Sequence, residues 1–287
     1  MSKIGNVSFI NKNLKDNNLM AKKKFGQNFL TDQKILNQIV EAAEVSKEDA
    51  VIEIGGGLGA LTEILCEKAG KVLTYEIDKQ LIPVLTDNLK EFSNLVIINE
   101  DILKADLGAD INKYLNDYKN IYVVANLPYY ITTPIILNLL SNQKRISRYV
   151  VMMQLEVADR ICSKPKTKDY NALSVVVQYK ATARKVIKVP RTVFIPAPNV
   201  DSAVVRLDVY QEMPYRALND NDFYQLLRVS FTQRRKTFYN NLILGYDKEF
   251  VKTLLEDLNI NPSIRAEALE LKDFILISDY ITQKLNK

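Results

Sequence analysis

Val51-Ile52-Glu53-Ile54-Gly55-Gly56-Gly57-Leu58-Gly59 is a short, largely apolar run that ends in closely spaced glycines, and Ala60 opens an amphipathic stretch behind it. Glycines at a strand-to-helix turn let the backbone approach a ligand, because no Cβ intrudes. The spacing is G-x-G-x-G, and Ala60 also completes a dinucleotide fingerprint ending in alanine. Outward from this loop the same alternation repeats. Residues 51–54, 71–77, 95–98, 121–125 and 149–153 read as strands, apolar on mostly consecutive positions, as suits strands covered on both faces. Helical patterns fall between them at 60–69, 79–90, 111–116 and 134–140, the last with Thr132 and Thr133 as caps and Pro134 at a first helical position. Strands alternating with helices predict a doubly wound, Rossmann-like α/β sheet.

Further strands are expected at 185–189 and 203–210, joined by a Pro-rich turn at 194–200. Beyond Asp220 the strand pattern stops, and 223–242, 249–258 and 266–285 read as helices. The expected organisation is a flexible tail at 1–21, a sheet domain at 22–210 and a small C-terminal helical domain at 211–287.

Composition bounds the chemistry. The 287 residues contain no histidine, which excludes Ser-His triads, His general bases and His-containing zinc motifs. Cys66 and Cys162 stand 96 positions apart and form no CxxC pair, so each reads as a reduced thiol and no metal is expected. No apolar run approaches the ~20 residues of a membrane helix, and residues 1–20 lack the apolar stretch of a signal peptide. A cytoplasmic protein is expected. The net charge of +5 is too small to argue for nucleic acid by itself. Where the charge sits carries more information.

Two acids extend the glycine loop into a site. Glu76 ends the strand after it, 21 residues beyond Gly55, where a carboxylate accepts hydrogen bonds from ribose hydroxyls. Asp101 closes the next strand and can accept from the exocyclic amine of an adenine. Polar groups at successive strand ends point to an adenosyl cofactor, and both NAD and S-adenosylmethionine (SAM) satisfy them.

Asn126-Leu127-Pro128-Tyr129, at the end of the fourth strand, fits a narrower chemical problem. An adenine amino nitrogen is a poor nucleophile, because its lone pair is delocalised into the ring. The Asn126 side-chain oxygen and the Leu127 carbonyl can hold both amine hydrogens and favour a pyramidal nitrogen. Pro128 fixes the turn on which they converge, and Tyr129 offers a face for a flipped base. A sulfonium methyl is already electrophilic, so alignment contributes most and no strong base is needed.

Five separated motifs resemble the KsgA-type ribosomal RNA adenine dimethyltransferases. They are Lys24-Phe25-Gly26-Gln27-Asn28-Phe29-Leu30, the glycine loop, Asn126–Tyr129, the stretch from Phe194-Ile195-Pro196 to Ala203-Val204, and Gln233-Arg234-Arg235-Lys236-Thr237. The resemblance runs from about Lys22 to the C-terminus. It implies SAM contacts at Asn28, Leu30, Gly55, Gly57, Glu76, Asp101 and Asn126, and an adenine sandwiched by Tyr129 and Phe194. It further implies a monomer acting on two adjacent adenosines in the 3′-terminal hairpin loop of 16S rRNA within the immature small ribosomal subunit. Three positions depart from the pattern: Gly56 replaces a usual proline, Leu155 a usual lysine and Asn171 a common glycine.

The residues between Asp222 and Asp247 include no acid but carry Arg228, Arg234, Arg235 and Lys236. On one continuous helix Arg228 and Arg235 would share a face opposite Phe223, Leu227, Phe231, Phe238 and Leu242. A basic face of that kind meets phosphate. Lys22, Lys23 and Lys24 form a second candidate RNA patch. Three other readings stay open. A nicotinamide oxidoreductase leaves Asn126–Tyr129 unused, and a non-catalytic nucleic-acid-binding relative would tolerate its loss. An Erm-type 23S rRNA enzyme is similar but has Asn-Ile-Pro-Tyr at this motif.

Overall fold

The computed structural model describes residues 4–17, 19–22, 25–142 and 145–285, and the side chain of Asn142 is outside that description. Lys23 and Lys24, two of the three lysines of the second basic patch, lie outside the described residues. The chain divides into two compact units, Met1–Ala158 with Ala183–Val209 and Asp159–Thr182 with Tyr210–Lys287.

The first unit begins with a helix where a loose tail is predicted. Helix α1 (Val7–Asp16) starts at Asn6, whose side chain accepts the Phe9 N–H at 2.7 Å. The physical reason for its order is spacing: Ile4, Phe9, Ile10 and Leu14 fall where apolar neighbours cover them, and Ile4 and Ile10 are buried. There follow β1 (Phe29–Leu30), α2 (Gln33–Ala43), β2 (Ala50–Ile54), α3 (Ala60–Lys68), β3 (Lys71–Tyr75), α4 (Ile82–Asn88), β4 (Leu95–Ile98), α5 (Leu107–Tyr114), β5 (Ile121–Asn126), α6 (Thr132–Asn142) and β6 (Ile146–Gln154). After α7 (Leu155–Cys162) and α8 (Ala172–Lys180) come β7 (Ala181–Val189), β8 (Phe194–Ile195) and β9 (Ser202–Val209).

Seven strands form one sheet in the order β4-β3-β2-β5-β6-β9-β7. β4, β3, β2, β5 and β6 are parallel neighbours, and β9 joins antiparallel to β6. The order reverses between β2 and β5, which is the switch point where open α/β sheets bind ligands beyond the carboxyl ends of their strands. All five residues of β2 are buried, as a central parallel strand requires. Leu36, Ile39 and Val40 of α2 and Leu61, Ile64 and Leu65 of α3 share a core with Val51, Val72, Val124, Val150 and Val204 of the strands. A separate two-stranded pairing sets β1 antiparallel to β8.

The second unit is helical and larger than a boundary at 210 allows. Besides α9 (Asp220–Ser230), α10 (Phe238–Leu242), α11 (Lys248–Asp257) and α12 (Leu271–Leu285), it takes in α8. Tyr179 of α8 lies 4.4 Å from the Phe223 ring of α9, and both rings are buried in one core with Phe238 and Phe274. Asn171 begins α8 with a capping box: its side chain accepts the Leu173 N–H at 2.8 Å, and Ser174 accepts the Asn171 N–H at 3.0 Å. Asparagine here gains a bond that glycine cannot make.

The predicted helix over 223–242 is two helices. α9 ends at Ser230, α10 starts only at Phe238, and Arg234, Arg235 and Lys236 lie on the exposed turn between them. Arg228 alone of the four is helical, so it shares no helix face with Arg235. Polar groups explain the break. The Asn241 side chain takes the Gln233 N–H at 2.9 Å and donates to the Gln233 carbonyl at 3.2 Å, while Thr237 caps α10 by accepting the Asn240 N–H at 3.2 Å. The apolar spacing survives because Phe231 and Phe238 both turn into the same core.

Candidate active site

Four parallel strands release their chains at one end of the sheet, and the residues that follow line a single cleft of about 1130 Å³, open mouth included. Gly55 and Gly57 follow β2, Glu76 follows β3, Asp101 lies beyond β4, and Asn126 closes β5. Asn28 and Leu30 reach the same cleft from the segment leading into α2. All seven predicted cofactor residues therefore meet, and Leu127, Pro128 and Tyr129 line the cleft with them.

The glycine loop is tied to the first acid. Gly57 has φ +58° and donates its N–H to Glu76 Oε2 at 2.9 Å, while the Asp78 N–H reaches Oε1 at 2.8 Å. Glu76 is 5% exposed; burial pushes its carboxyl above the ordinary range, against those backbone donors. Each of its oxygens keeps a second lone pair for a ligand hydroxyl. Asp101 accepts the Leu103 N–H through Oδ1 at 3.0 Å.

Gly56 has a structural reason unlike that of its neighbours. A Cβ there would lie 2.5 Å from the Thr74 methyl and 2.9 Å from Leu85, so the loop packs tightly at this position.

At the second acceptor site, Asn126 Nδ2 donates to the Asn28 carbonyl at 3.2 Å, which leaves Oδ1 as the acceptor. The Leu127 N–H is bound to the Met152 carbonyl at 3.0 Å, and the Pro128 carbonyl accepts from Thr132 Oγ1 at 3.0 Å. The Tyr129 hydroxyl lies 2.6 Å from Ser202 Oγ, which fixes the ring by its far end.

Two predicted residues stand elsewhere. Phe194 is 3% exposed, paired opposite Leu30 across β1 and β8 and packed in the sheet core, so it does not line the cleft. Its aromatic ring is taken up by burial and offers no free face to a base. Lys22 is ion-paired at 2.7 Å with Asp78, which is 3% exposed, and lies over the Phe25 ring. A cation paired with a buried carboxylate is first of all a structural tie between this segment and the turn after Glu76. Burial opposes ionisation of Asp78, but hydrogen bonds from Lys22 and from Gln27, at 2.9 Å, hold its carboxyl below the usual range.

Glu53, Tyr130 and Ile10 also line the cleft, though none of them is a predicted site residue. Glu53 is wholly buried inside β2 and is signalled only by a charge in an apolar strand. Tyr130, which follows the Asn126–Tyr129 motif, is 54% exposed at the mouth. Ile10 comes from the segment predicted as a tail. Among the described residues no group of three His, Cys, Asp or Glu side chains could hold a metal, and no helix is long and apolar enough to cross a membrane.

The family profile described as ribosomal RNA adenine dimethylase matches residues 18–283. Ribosomal RNA small subunit methyltransferase A of Streptococcus pyogenes serotype M5 is 50% identical over 268 residues, covering 91% of this chain and 92% of that protein. The protein of the same name from Streptococcus thermophilus matches to the same extent, at 50% identity. Among solved structures, a dimethyladenosine transferase from Plasmodium falciparum superposes with a TM-score of 0.75 at 27% identity, over 90% of this chain and 98% of that one. The 23S rRNA methyltransferase ErmE gives a TM-score of 0.66 at 26% identity, over 88% and 98%.

Proposed function

The chain belongs to the ribosomal RNA adenine dimethylase family, and on that premise we propose that it dimethylates two adjacent adenosines in the 3′-terminal hairpin loop of 16S rRNA, acting as a monomer on the immature small subunit in the cytoplasm. It is a SAM-dependent rRNA adenine dimethyltransferase. The observation that supports the cofactor and base site is the convergence of Gly57, Glu76, Asp101 and Asn126 from four strand ends into one cleft, beside a tyrosine anchored on Ser202, and the 50% identity to ribosomal RNA small subunit methyltransferase A favours the 16S target.

The residues fit the cofactor. Glu76 accepts from the ribose hydroxyls, and Asp101 Oδ2, which the Leu103 N–H leaves unused, accepts from the adenine amine. Gly55 and Gly57 let the backbone approach, and Asn28, Leu30 and Asn126 complete the wall. When bound, SAM supplies a methyl activated by its sulfonium centre. The chain itself orients the acceptor: Asn126 Oδ1 and the Leu127 carbonyl hold the target amine, and the Tyr129 face stacks the flipped base. These acceptors act most as the nitrogen becomes tetrahedral, so they favour the transition state over the bound substrate. Arg228 and the exposed Arg234, Arg235 and Lys236 contact RNA phosphates.

Transfer of tritiated methyl from SAM to 16S and 23S rRNA, followed by mapping of the label, tests this reading. Label on paired adenosines of the 16S hairpin is expected. Label confined to 23S rRNA would move the protein to the reading suggested by its likeness to ErmE.

A further inference from the structure

Residues 4–17 lie before the first residue matched by the family profile, yet they pack into the apolar clusters beside the cleft, and Ile10 lines it. Ile10 is 1% exposed and lines it, in contact with three elements at once. Leu58 belongs to the glycine loop, and Leu81 and Val84 follow the turn after Glu76; all four residues form one buried cluster, with Leu14 and Phe29 against it. Just ahead of the helix, Ile4 packs with Leu85 and Leu89. The backbone also approaches closely at Gly5, where a Cβ would come within 2.8 Å of both Gln33 Oε1 and Leu36 Cδ1.

Beyond the helix the chain is tied down again. Lys22 and Gln27 both hold Asp78, and the Asp78 N–H holds Glu76. These contacts fall on the side of the cleft between the glycine loop and Glu76, where a ribose would sit. A ten-residue helix rich in Asn and Lys is marginal in water by itself, so the order of α1 comes from docking.

We propose that α1 is a wall of the SAM site: Ile10 covers the ribose side of the bound cofactor, and the docked helix and the cofactor stabilise each other. The proposal rests on the reading of the cleft as a SAM site. Stabilisation of this kind is reciprocal. Loss of α1 weakens cofactor binding, and bound cofactor holds α1 in place.

The test compares the full chain, a chain beginning at Leu19, and Ile10→Ala. SAM affinity is measured by calorimetry, SAM release by stopped flow, and steady-state rates with SAM and RNA varied separately. The shortened chain is expected to raise the SAM Kd and the KM for SAM about tenfold and to speed release, since an apolar side chain of that size is lost from a closed contact. The KM for RNA, and kcat at saturating SAM, should stay within about twofold. Ile10→Ala should move the same constants the same way by less, with a near-normal Tm, and it decides the matter if the shortened chain does not fold. Trypsin cleavage at Lys12 and Lys15 of the full chain should slow when SAM saturates. Unchanged SAM affinity and release in both variants would overturn the proposal, as would a defect confined to the KM for RNA. Failure of the intact chain to bind SAM at all would instead reject the cofactor reading, and the proposal with it.

Discussion

Asn126 holds the Asn28 carbonyl with its amide nitrogen, so the side chain arrives at the cleft with its oxygen already oriented. Preorganised acceptors of this kind are worth two to three orders of magnitude in turnover. Asn126→Ala should therefore lower kcat by about 100-fold or more while SAM affinity shifts less than about fivefold. Single-turnover methyl transfer alongside calorimetry checks both, and near-normal turnover would remove Asn126 from the chemistry. Glu53 makes a different prediction. Its Oε2 accepts from Thr62 and Thr74 at 2.7 and 2.8 Å, and its buried Oε1 has no partner. Burial pushes the carboxyl up to about 7 from 4.5, against the two threonines and with help from Glu76. Below about 4.5 folded and unfolded chains are both protonated, and between there and about 7 only the folded chain keeps the proton. Stability from this group is thus complete at low pH and lost as pH rises through about 7, a change of order 3 kcal/mol. Glu53→Gln should flatten the fall of Tm between about pH 4.5 and 7, and parallel curves for the two proteins would contradict the assignment. At this scale the place of Asn126 in the cleft was legible, because it ends a strand at the edge where open α/β sheets bind ligands. The burial of Phe194 was not, because it depends on pairing with Leu30, more than 160 residues away.

Elements were read well where period and punctuation agreed, and poorly where the apolar period ran across a polar break. The strands at 95–98 and 121–125 and the helix after the glycine loop appear within a residue of their expected bounds. Over 223–242 the spacing of Phe223, Phe231 and Phe238 mimics one helix, but the Asn241 clasp on Gln233 and the Thr237 cap divide it. Arg234, Arg235 and Lys236 consequently project from a turn, with Arg234 only 3.8 Å from Glu267. If this turn grips phosphate, replacing Arg234 and Arg235 by alanine should reduce the slope of log affinity against log salt by about one to two units. Titration of both proteins on 30S precursor particles measures it, with SAM binding as the control. An unaltered slope would place RNA binding elsewhere. The cap on α8 makes a smaller claim. Asn171→Ala removes one side of the capping box and should destabilise by about 1 kcal/mol, or lower Tm by roughly 2–4 °C, in a calorimetric melt.

At the scale of the whole molecule, a ligand held by four strand ends is coupled to the folding of the sheet that brings them together. SAM at about 100 times its Kd should stabilise the chain by about 2.7 kcal/mol and raise Tm by several degrees, while NAD at equal concentration should leave it unmoved. A shift with NAD and none with SAM would restore the oxidoreductase reading. The parallel sheet and the family were legible along the chain, because each depends on neighbours close in sequence: a glycine turn after a strand, an acid at a strand end, an Asn-Leu-Pro-Tyr turn. The pairing of Lys22 with Asp78, the anchoring of Tyr129 on Ser202, the place of α8 among the helices and the approach of Ile10 to the cleft emerge from tertiary packing alone. The reason is physical. Such contacts join side chains tens of residues apart, and their energy is gained only when the chain path closes the loop between them, which no local pattern records.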